Sequence, residues 1–264
     1  MYADGRDKRI RRLTEHVLAT QLPSGGFSVS GRPSLEIVCL TANILRAAVQ
    51  FGYGDDERII AGYKRLIDRI LPHHGVPCVG LDHVLLTKCK MTLPQTLRCL
   101  AVAPNGVPRG KLKQTRDLLV KQLLAVRVYR YVRPDFKTYQ VTVSRRPKGV
   151  LVRDVKAKWL AEHKVKNKDL LPKAAWLRFG FPRSYNPDLL EAMLALAELG
   201  VKHTRALDEA LDHIEAKRGR DGRWKLDHSL NGKMLASIER KGRPSKWITL
   251  RALIVLKHFG RLKL

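Results

Sequence analysis

One segment of the chain, from Asn186 to Trp224, limits the fold more than any other. Apolar residues recur there at spacings of three and four and stop at Gly200, which is typical of a buried helix with a glycine C-cap. A second, amphipathic helix follows and ends at the turn Asp221-Gly222-Arg223-Trp224. The segment therefore predicts a helical hairpin.

The same order of elements occurs near the N-terminus. Residues 35–52 read as an apolar helix ending in glycine, residues 55–70 as an amphipathic helix, and the preceding loop 21–27 matches the turn before Trp224. Partial copies lie at 89–104 and 247–260. Self-similarity with a period of roughly 45–50 residues predicts an all-α protein built from helical-hairpin repeats.

Two serines are predicted to start helices. Ser34 follows Pro33 just before the first apolar helix, and Ser245 precedes the last one. A serine hydroxyl at an N-cap accepts a hydrogen bond from a backbone N–H of the first helical turn.

The loop Gln21-x-x-x-Gly25-Gly26-Phe27, its echo at Asp221 to Trp224, and the helix ends at Phe51-Gly52 and Leu199-Gly200 resemble the repeats of the terpenoid cyclase and protein prenyltransferase superfamily. The resemblance covers most of residues 10–260, apart from about 105–180. It implies an α/α toroid, in which inner helices surround a central cavity and outer helices surround the inner ones. Helical hairpins also stack into open solenoids of HEAT type, so that alternative stays open.

The catalytic motifs of the superfamily are absent from the sequence. The chain has neither the Asp-x-Asp-Asp acid of class II terpene cyclases nor the Asp-x-Cys zinc pair of protein prenyltransferases. It also lacks a phosphate-binding glycine-rich loop and a Gly-x-Ser-x-Gly elbow. The resemblance therefore predicts the fold without the reaction, because one fold hosts many functions.

Size and hydropathy favour one domain over residues 1–264, with residues 105–180 as its divergent, basic part. The 264 residues are 44% hydrophobic, which is enough for a full core. No apolar run approaches the roughly 20 residues that span a bilayer, and the N-terminus lacks the apolar stretch of a secretory signal. We expect no membrane span and a cytoplasmic protein.

The charge balance predicts a polyanionic partner. Lys and Arg total 51 against 24 Asp and Glu, a net charge of +27, and residues 109–183 hold 21 of the cations and 5 of the acids. Nucleic acid is the first candidate, and an anionic membrane surface or a diphosphate ligand is the next. General Lys/Arg enrichment, as in some thermophiles, is the alternative, but the matching Glu is missing.

The predicted phosphate contacts lie on a change of periodicity. Residues 139–143 alternate like a strand, 144–149 form a turn and 150–152 return, which predicts a small basic β-hairpin inserted near 138–153; an insertion loop leading into a helix at 155–163 fits equally well. The predicted nucleic-acid or anion contacts are the cations of this turn and of the segment after it: Arg145, Arg146, Lys148, Arg153, Lys156, Lys158, Lys164, Lys166, Lys168, Arg178 and Arg183.

Aromatic residues lie among these cations. Trp159, Trp176, Phe179 and Phe181 are interleaved with the basic residues. Such rings either stack on bases while the cations contact the backbone, or pack in the protein core.

Three cysteines suggest a metal site. The repeat alignment brings Cys39, Cys78 and Cys89 to one end of the hairpins, where His74 or His83 completes a tetrahedral zinc set. The chain has no Cys-x-x-Cys pair, and buried cysteine often serves as a small apolar residue, so zinc and simple packing both remain.

Three classes of function follow. The first is a nucleic-acid-binding repeat protein with a role in DNA or RNA processing. The second is an enzyme that acts on an isoprenoid or other hydrophobic diphosphate in the toroid cavity. The third is a scaffold whose concave surface binds an acidic protein partner.

Overall fold

The computed structural model describes residues 4–79, 85–86, 90–132, 145–150, 154–155, 170–183 and 186–262. They are mostly helical, as the sequence predicts. The chain divides into two compact units, unit 1 (Met1–Lys121) and unit 2 (Gln122–Leu264). This division does not test the expectation of a single domain, which stays a prediction. In the part of the chain that is described, no helix is both long and apolar enough to cross a membrane.

The first five helices follow the predicted order, starting in unit 1. They are α1 (Lys8–Leu18), α2 (Val38–Gln50), α3 (Glu57–Ile70), α4 (Leu93–Ala101) and α5 (Arg109–Leu124), and a short antiparallel pair, β1 (Cys78–Val79) with β2 (Leu85–Leu86), lies between α3 and α4. Helix α2 packs against both α3 and α4. Helix α3 packs through its apolar stripe, which is buried. The Asp56 side chain caps the first turn of α3 by accepting a hydrogen bond from the Arg58 N–H.

In unit 2, the described residues include a two-stranded ribbon and three further α-helices. The ribbon is β3 (Arg130–Val132) paired antiparallel with β4 (Leu170–Pro172), and the helices are α6 (Leu189–Glu198), α7 (Asp208–Ala216) and α8 (Lys246–His258). Helix α6 packs against both α7 and α8. The predicted hairpin near 138–153 is described only at its turn, residues 145–150, where the Val150 N–H donates to the Pro147 carbonyl; its strands and the alternative helix at 155–163 fall almost wholly outside the described residues.

One predicted N-cap is confirmed and the other is wrong. The Ser245 hydroxyl oxygen accepts a hydrogen bond from the Ile248 N–H at 3.1 Å, at the start of α8. Ser34 lies instead in a 3₁₀ turn (Pro33–Leu35), and Ile37 precedes α2 without any side-chain cap. The helix starts late because the intervening Glu36 is buried in an ion pair with Arg65.

The two turns paired by sequence, residues 21–27 and 218–224, contain the same hydrogen bonds. In each, the N–H of the second residue donates to the carbonyl of the sixth (2.9 and 2.8 Å), and the N–H of the fifth donates to the carbonyl of the second (2.8 and 2.9 Å). The first side chain, Gln21 or Arg218, donates to the carbonyl of the fifth residue. That fifth residue is a glycine with φ of 89° or 75°, a conformation that other residues rarely adopt.

Each turn presents its aromatic residue to the next helix in the same way. The Phe27 N–H donates to the Thr41 hydroxyl oxygen at 3.0 Å, and the Trp224 N–H donates to the Thr249 hydroxyl oxygen at 3.1 Å. Each threonine is the fourth residue of its helix, and both aromatic side chains are buried. The predicted match between the two turns thus extends to hydrogen bonds.

Three helices also end alike. After α2, α6 and α8 come Gly52, Gly200 and Gly260, with φ of 92°, 68° and 70°. In each case the N–H of the residue after the glycine donates to the carbonyl five positions earlier, at 3.0, 3.0 and 2.8 Å. This is the Schellman pattern of a glycine-terminated helix. The sequence correctly predicted these three ends.

Replacing Thr41 by valine should lower the free energy of unfolding by about 1–3 kcal/mol, because the buried Phe27 N–H loses its acceptor while the side-chain shape is kept. Urea denaturation measures the change. Thr41→Ser is the matched control, since it keeps the hydroxyl and removes only a methyl group. A valine variant as stable as the wild type would show that this hydrogen bond does not hold the turn.

Candidate anion-binding site

The paired strands β3 and β4 flank the basic segment, residues 133–169. Val132 pairs with Leu170, so the chain leaves and returns at neighbouring strands. The residues between them, 133–169, carry 11 Lys and Arg against 4 Asp and Glu. Three predicted contacts in this stretch are described: Arg145, Arg146 and Lys148, which are exposed on the turn. The others, Arg153, Lys156, Lys158, Lys164, Lys166 and Lys168, lie outside the described residues and stay predictions.

Glu209 of α7 anchors this ribbon. Its carboxylate accepts hydrogen bonds from the Tyr129 hydroxyl and from the Arg130 guanidinium, which also donates to the Leu170 carbonyl at 2.8 Å. Burial, and then the contact with Glu209, raise the pKa of Tyr129 to about 12, so the phenol stays protonated as the donor. The ribbon is therefore fixed to a helix at the point where the basic segment begins.

Arg183 is the most buried of the predicted contacts in the described chain. Its side chain is 9% exposed, and its Nε lies 3.6 Å from Oδ2 of Asp188. Asp188 in turn accepts the Gly180 N–H at 2.9 Å and, as the N-cap of α6, the Glu191 N–H at 2.8 Å. Burial raises the pKa of Asp188 and the Arg183 guanidinium lowers it. Burial has the larger effect, so the resulting pKa is about 6. Asp188 thus positions Arg183 at the start of α6.

The absence of a side chain at Gly180 makes space for the Arg183 guanidinium. A Cβ at this position would lie 2.6 Å from Nη1 of Arg183 and 3.1 Å from the carbonyl oxygen of His228. Any larger residue would push the guanidinium away. Gly180 is bridged to His228, whose N–H donates to the Phe179 carbonyl at 3.0 Å.

His228 lies among cations. Burial lowers the pKa of the imidazole, and the charges of Arg183, Arg178, Lys241 and Lys233 lower it further. Its Nδ1 is buried and has no hydrogen-bond partner among the described residues. We call these five residues the His228 cluster; it contains two predicted contacts, Arg178 and Arg183, and two cations that the sequence analysis missed.

The two missed lysines belong to the loop between Trp224 and α8. Residues 217–246 contain ten Lys and Arg against three Asp and Glu, a bias that would have identified this second basic region. The loop is closed by Glu239, whose backbone carbonyl accepts from Asn231 Nδ2 at 2.8 Å and whose carboxylate accepts the Lys246 N–H at 2.9 Å. Lys233 and Lys241 therefore lie on a loop that is tied to the start of α8.

The aromatic residues near the cluster pack inside the protein or against each other. Trp176 and Phe179 are buried. Phe181 stacks on Trp247 with centroids 4.9 Å apart, and Arg251 lies over the Phe181 ring. These rings fit the core-packing interpretation, while Trp159 lies outside the described residues.

The predicted zinc ligands are described only in part. Cys39 is buried in α2 and His74 is exposed on a turn, whereas nothing is described for the Cys78 side chain or for Cys89. Among the residues that the structure describes, no group of three or more His, Cys, Asp or Glu is arranged to hold a metal ion. Zinc binding stays a prediction.

Comparisons with protein-family models, with curated proteins and with solved structures find no match to this chain.

Proposed function

We propose that the chain is a nucleic-acid-binding helical-repeat protein that takes part in DNA or RNA processing. The observation that carries the proposal is the net charge of +27, with its exposed turn Arg145–Lys148 and the cations around His228. Phosphate contacts made by Lys and Arg release counterions, so such binding weakens steeply as salt rises. An acidic protein partner would bind through the same cations, so the experiment must distinguish it from nucleic acid.

Replacing Arg145, Arg146 and Lys148 together by alanine should reduce the salt dependence of binding. Each lost phosphate contact lowers the slope of log affinity against log salt by about 0.9 for duplex DNA, so the slope should fall by up to about 3. Fluorescence anisotropy across a salt series, on protein purified free of nucleic acid, measures it with single- and double-stranded DNA and RNA.

The matched control replaces Lys202, Arg205 and Lys257 by alanine. These cations are also exposed, and the change in net charge is the same. A fall of equal size in both variants would assign the effect to total charge, and no binding at moderate salt by the wild type would contradict the proposal.

A second function has one observation in its favour. An apolar groove of about 280 Å³ lies between α1 and α2 in unit 1. It is lined by Leu13, Thr14, Val17, Leu18, Asn43, Ile44, Ala47, Ala48 and Phe51. The groove suits the hydrocarbon part of an isoprenoid diphosphate, but no carboxylate lines it to serve as a catalytic acid. Binding of such a diphosphate in preference to nucleic acid would favour this enzyme-like function.

Closure of the hairpins into an α/α toroid is the finer part of the fold proposal. The repeated turns, the buried aromatic residues and the three glycine-terminated helices support a repeat protein of the kind that the terpenoid cyclase resemblance implies. An open solenoid is built from the same hairpins.

A further inference from the structure

We propose that the His228 cluster is a binding site for a phosphate monoester, such as the terminal phosphate of a nucleic-acid strand. The inference rests on the proposed nucleic-acid binding and adds the chemical group that one site recognises. Its evidence is separate from the total charge of the chain: buried polar atoms that lack partners, cations that lack carboxylates, and a glycine that makes room for the central arginine.

Two polar atoms of the cluster are buried without a hydrogen-bond partner in the described structure, Nε of Arg183 and Nδ1 of His228. The nearest carboxylate oxygen to Arg183 Nε is 3.6 Å away, which compensates its charge but is too long for a good hydrogen bond. Leaving a buried polar atom unpaired costs free energy, and most such atoms in folded proteins have partners. A bound oxyanion would supply an acceptor to Arg183 Nε, and to His228 Nδ1 in the tautomer that carries its proton on that nitrogen.

The described residues do not balance the charge of the exposed cations in the cluster. Arg178, Lys233 and Lys241 are exposed and form no ion pair with any described residue. Three neighbouring carboxylates are already engaged: Asp188 bonds two backbone N–H groups, Asp227 bonds the Phe179 N–H and Lys217, and Glu239 bonds the Ser245 hydroxyl and the Lys246 N–H. The charges of Arg178, Lys233 and Lys241, which act on His228, therefore stay uncompensated among the described residues, whereas Asp188 compensates that of Arg183.

This charge favours a monoester over an internal phosphodiester. A phosphate monoester carries about −1.5 to −2 at neutral pH, while a diester carries a single negative charge. A guanidinium donates to phosphate oxygens in a fixed planar geometry, and the lysines add charge without fixed direction. Arg183, held in place by Asp188 and by the space at Gly180, supplies the oriented donor.

The test compares one oligonucleotide in three forms, with a 5′-hydroxyl, a 5′-phosphate and a 3′-phosphate. Charge-assisted hydrogen bonds of this kind should make one phosphorylated form bind about 10–100-fold more tightly in anisotropy measurements at fixed salt. The variant Lys233→Gln/Lys241→Gln changes only exposed residues and should reduce that preference. Lys202→Gln/Lys257→Gln, with the same change in charge, should keep it. Arg183→Gln should abolish it.

The outcomes separate this inference from the proposed function. Equal affinity of the wild type for all three oligonucleotides overturns the inference and leaves nucleic-acid binding intact. If no oligonucleotide binds, the proposed function fails, and inorganic phosphate titrated against the His228 NMR signal tests the cluster by itself. A shift that is lost in Lys233→Gln/Lys241→Gln supports a phosphate site for small ligands, and no shift overturns it.

Discussion

Replacing Asp188 by alanine should lower the free energy of unfolding by about 3–5 kcal/mol, because it leaves a buried arginine without its carboxylate. The same change removes the acceptor of the Gly180 N–H and the N-cap of α6. Urea denaturation at constant salt measures the loss. At urea concentrations below the unfolding midpoint of the variant, circular dichroism should show the helical signal of the folded protein.

Asp188→Asn is the matched control, because it keeps the size of the side chain and one acceptor oxygen. It also isolates the titration of Asp188, whose pKa rises from 3.8 to about 6 on folding. The folded state then binds the proton more tightly than the unfolded chain, so the wild type is most stable relative to Asp188→Asn below pH 4. The stability difference between the wild type and Asp188→Asn should fall by roughly 3 kcal/mol as the pH rises to 7, because raising a pKa by 1 corresponds to about 1.4 kcal/mol. A difference that does not change with pH would contradict the shifted pKa.

Replacing residues 133–169 by Asn-Gly should remove most of the nucleic-acid affinity and leave unit 2 folded. The paired ends Val132 and Leu170 are suited to a two-residue turn, and Asn-Gly favours the turn type that joins antiparallel strands. The deletion removes 11 cations and 4 acids. If six or more of the cations contact phosphates, affinity near 0.1 M salt should fall by roughly a hundredfold or more, and the salt slope should fall with it.

A Gly-Ser linker of the same length is the control for chain length. It removes the charges and keeps the spacing, so its affinity should match that of the deletion. Restored affinity with this neutral linker would mean that the charges of 133–169 are not used. An unchanged salt slope in both variants would move the binding site to the second basic region, residues 217–246.

Sequence periodicity was sufficient to place most of the described helices, though not all of their ends, and to pair the two turns. Gly52, Gly200 and Gly260 mark helix ends because few other residues adopt positive φ, and this requirement is visible in a single residue type. The match between Phe27 and Trp224 was visible for a similar reason, since glycine and an aromatic residue recur at fixed spacing. Local rules of this kind act within one turn of the chain.

The His228 cluster could be predicted only in part, because its members come from separate segments. Arg178 and Arg183 stood out by their charge, but Lys233 and Lys241 join them through a loop closed by Glu239. The cap at Ser34 failed for a related reason. The ion pair between Glu36 and Arg65 of α3 shifts the helix start, and periodicity along one helix carries no information about it.

The shared turn has a consequence for how such a chain changes in length. Its bonds run within seven residues and to the first turn of the following helix, so a copied hairpin brings its own attachment with it. Duplication of a gene segment that encodes one hairpin and one turn would need only a glycine, an aromatic residue and a threonine to join the copy to what precedes it. Growth by whole units, rather than by gradual extension of helices, is the evolutionary route that this hydrogen-bond pattern favours.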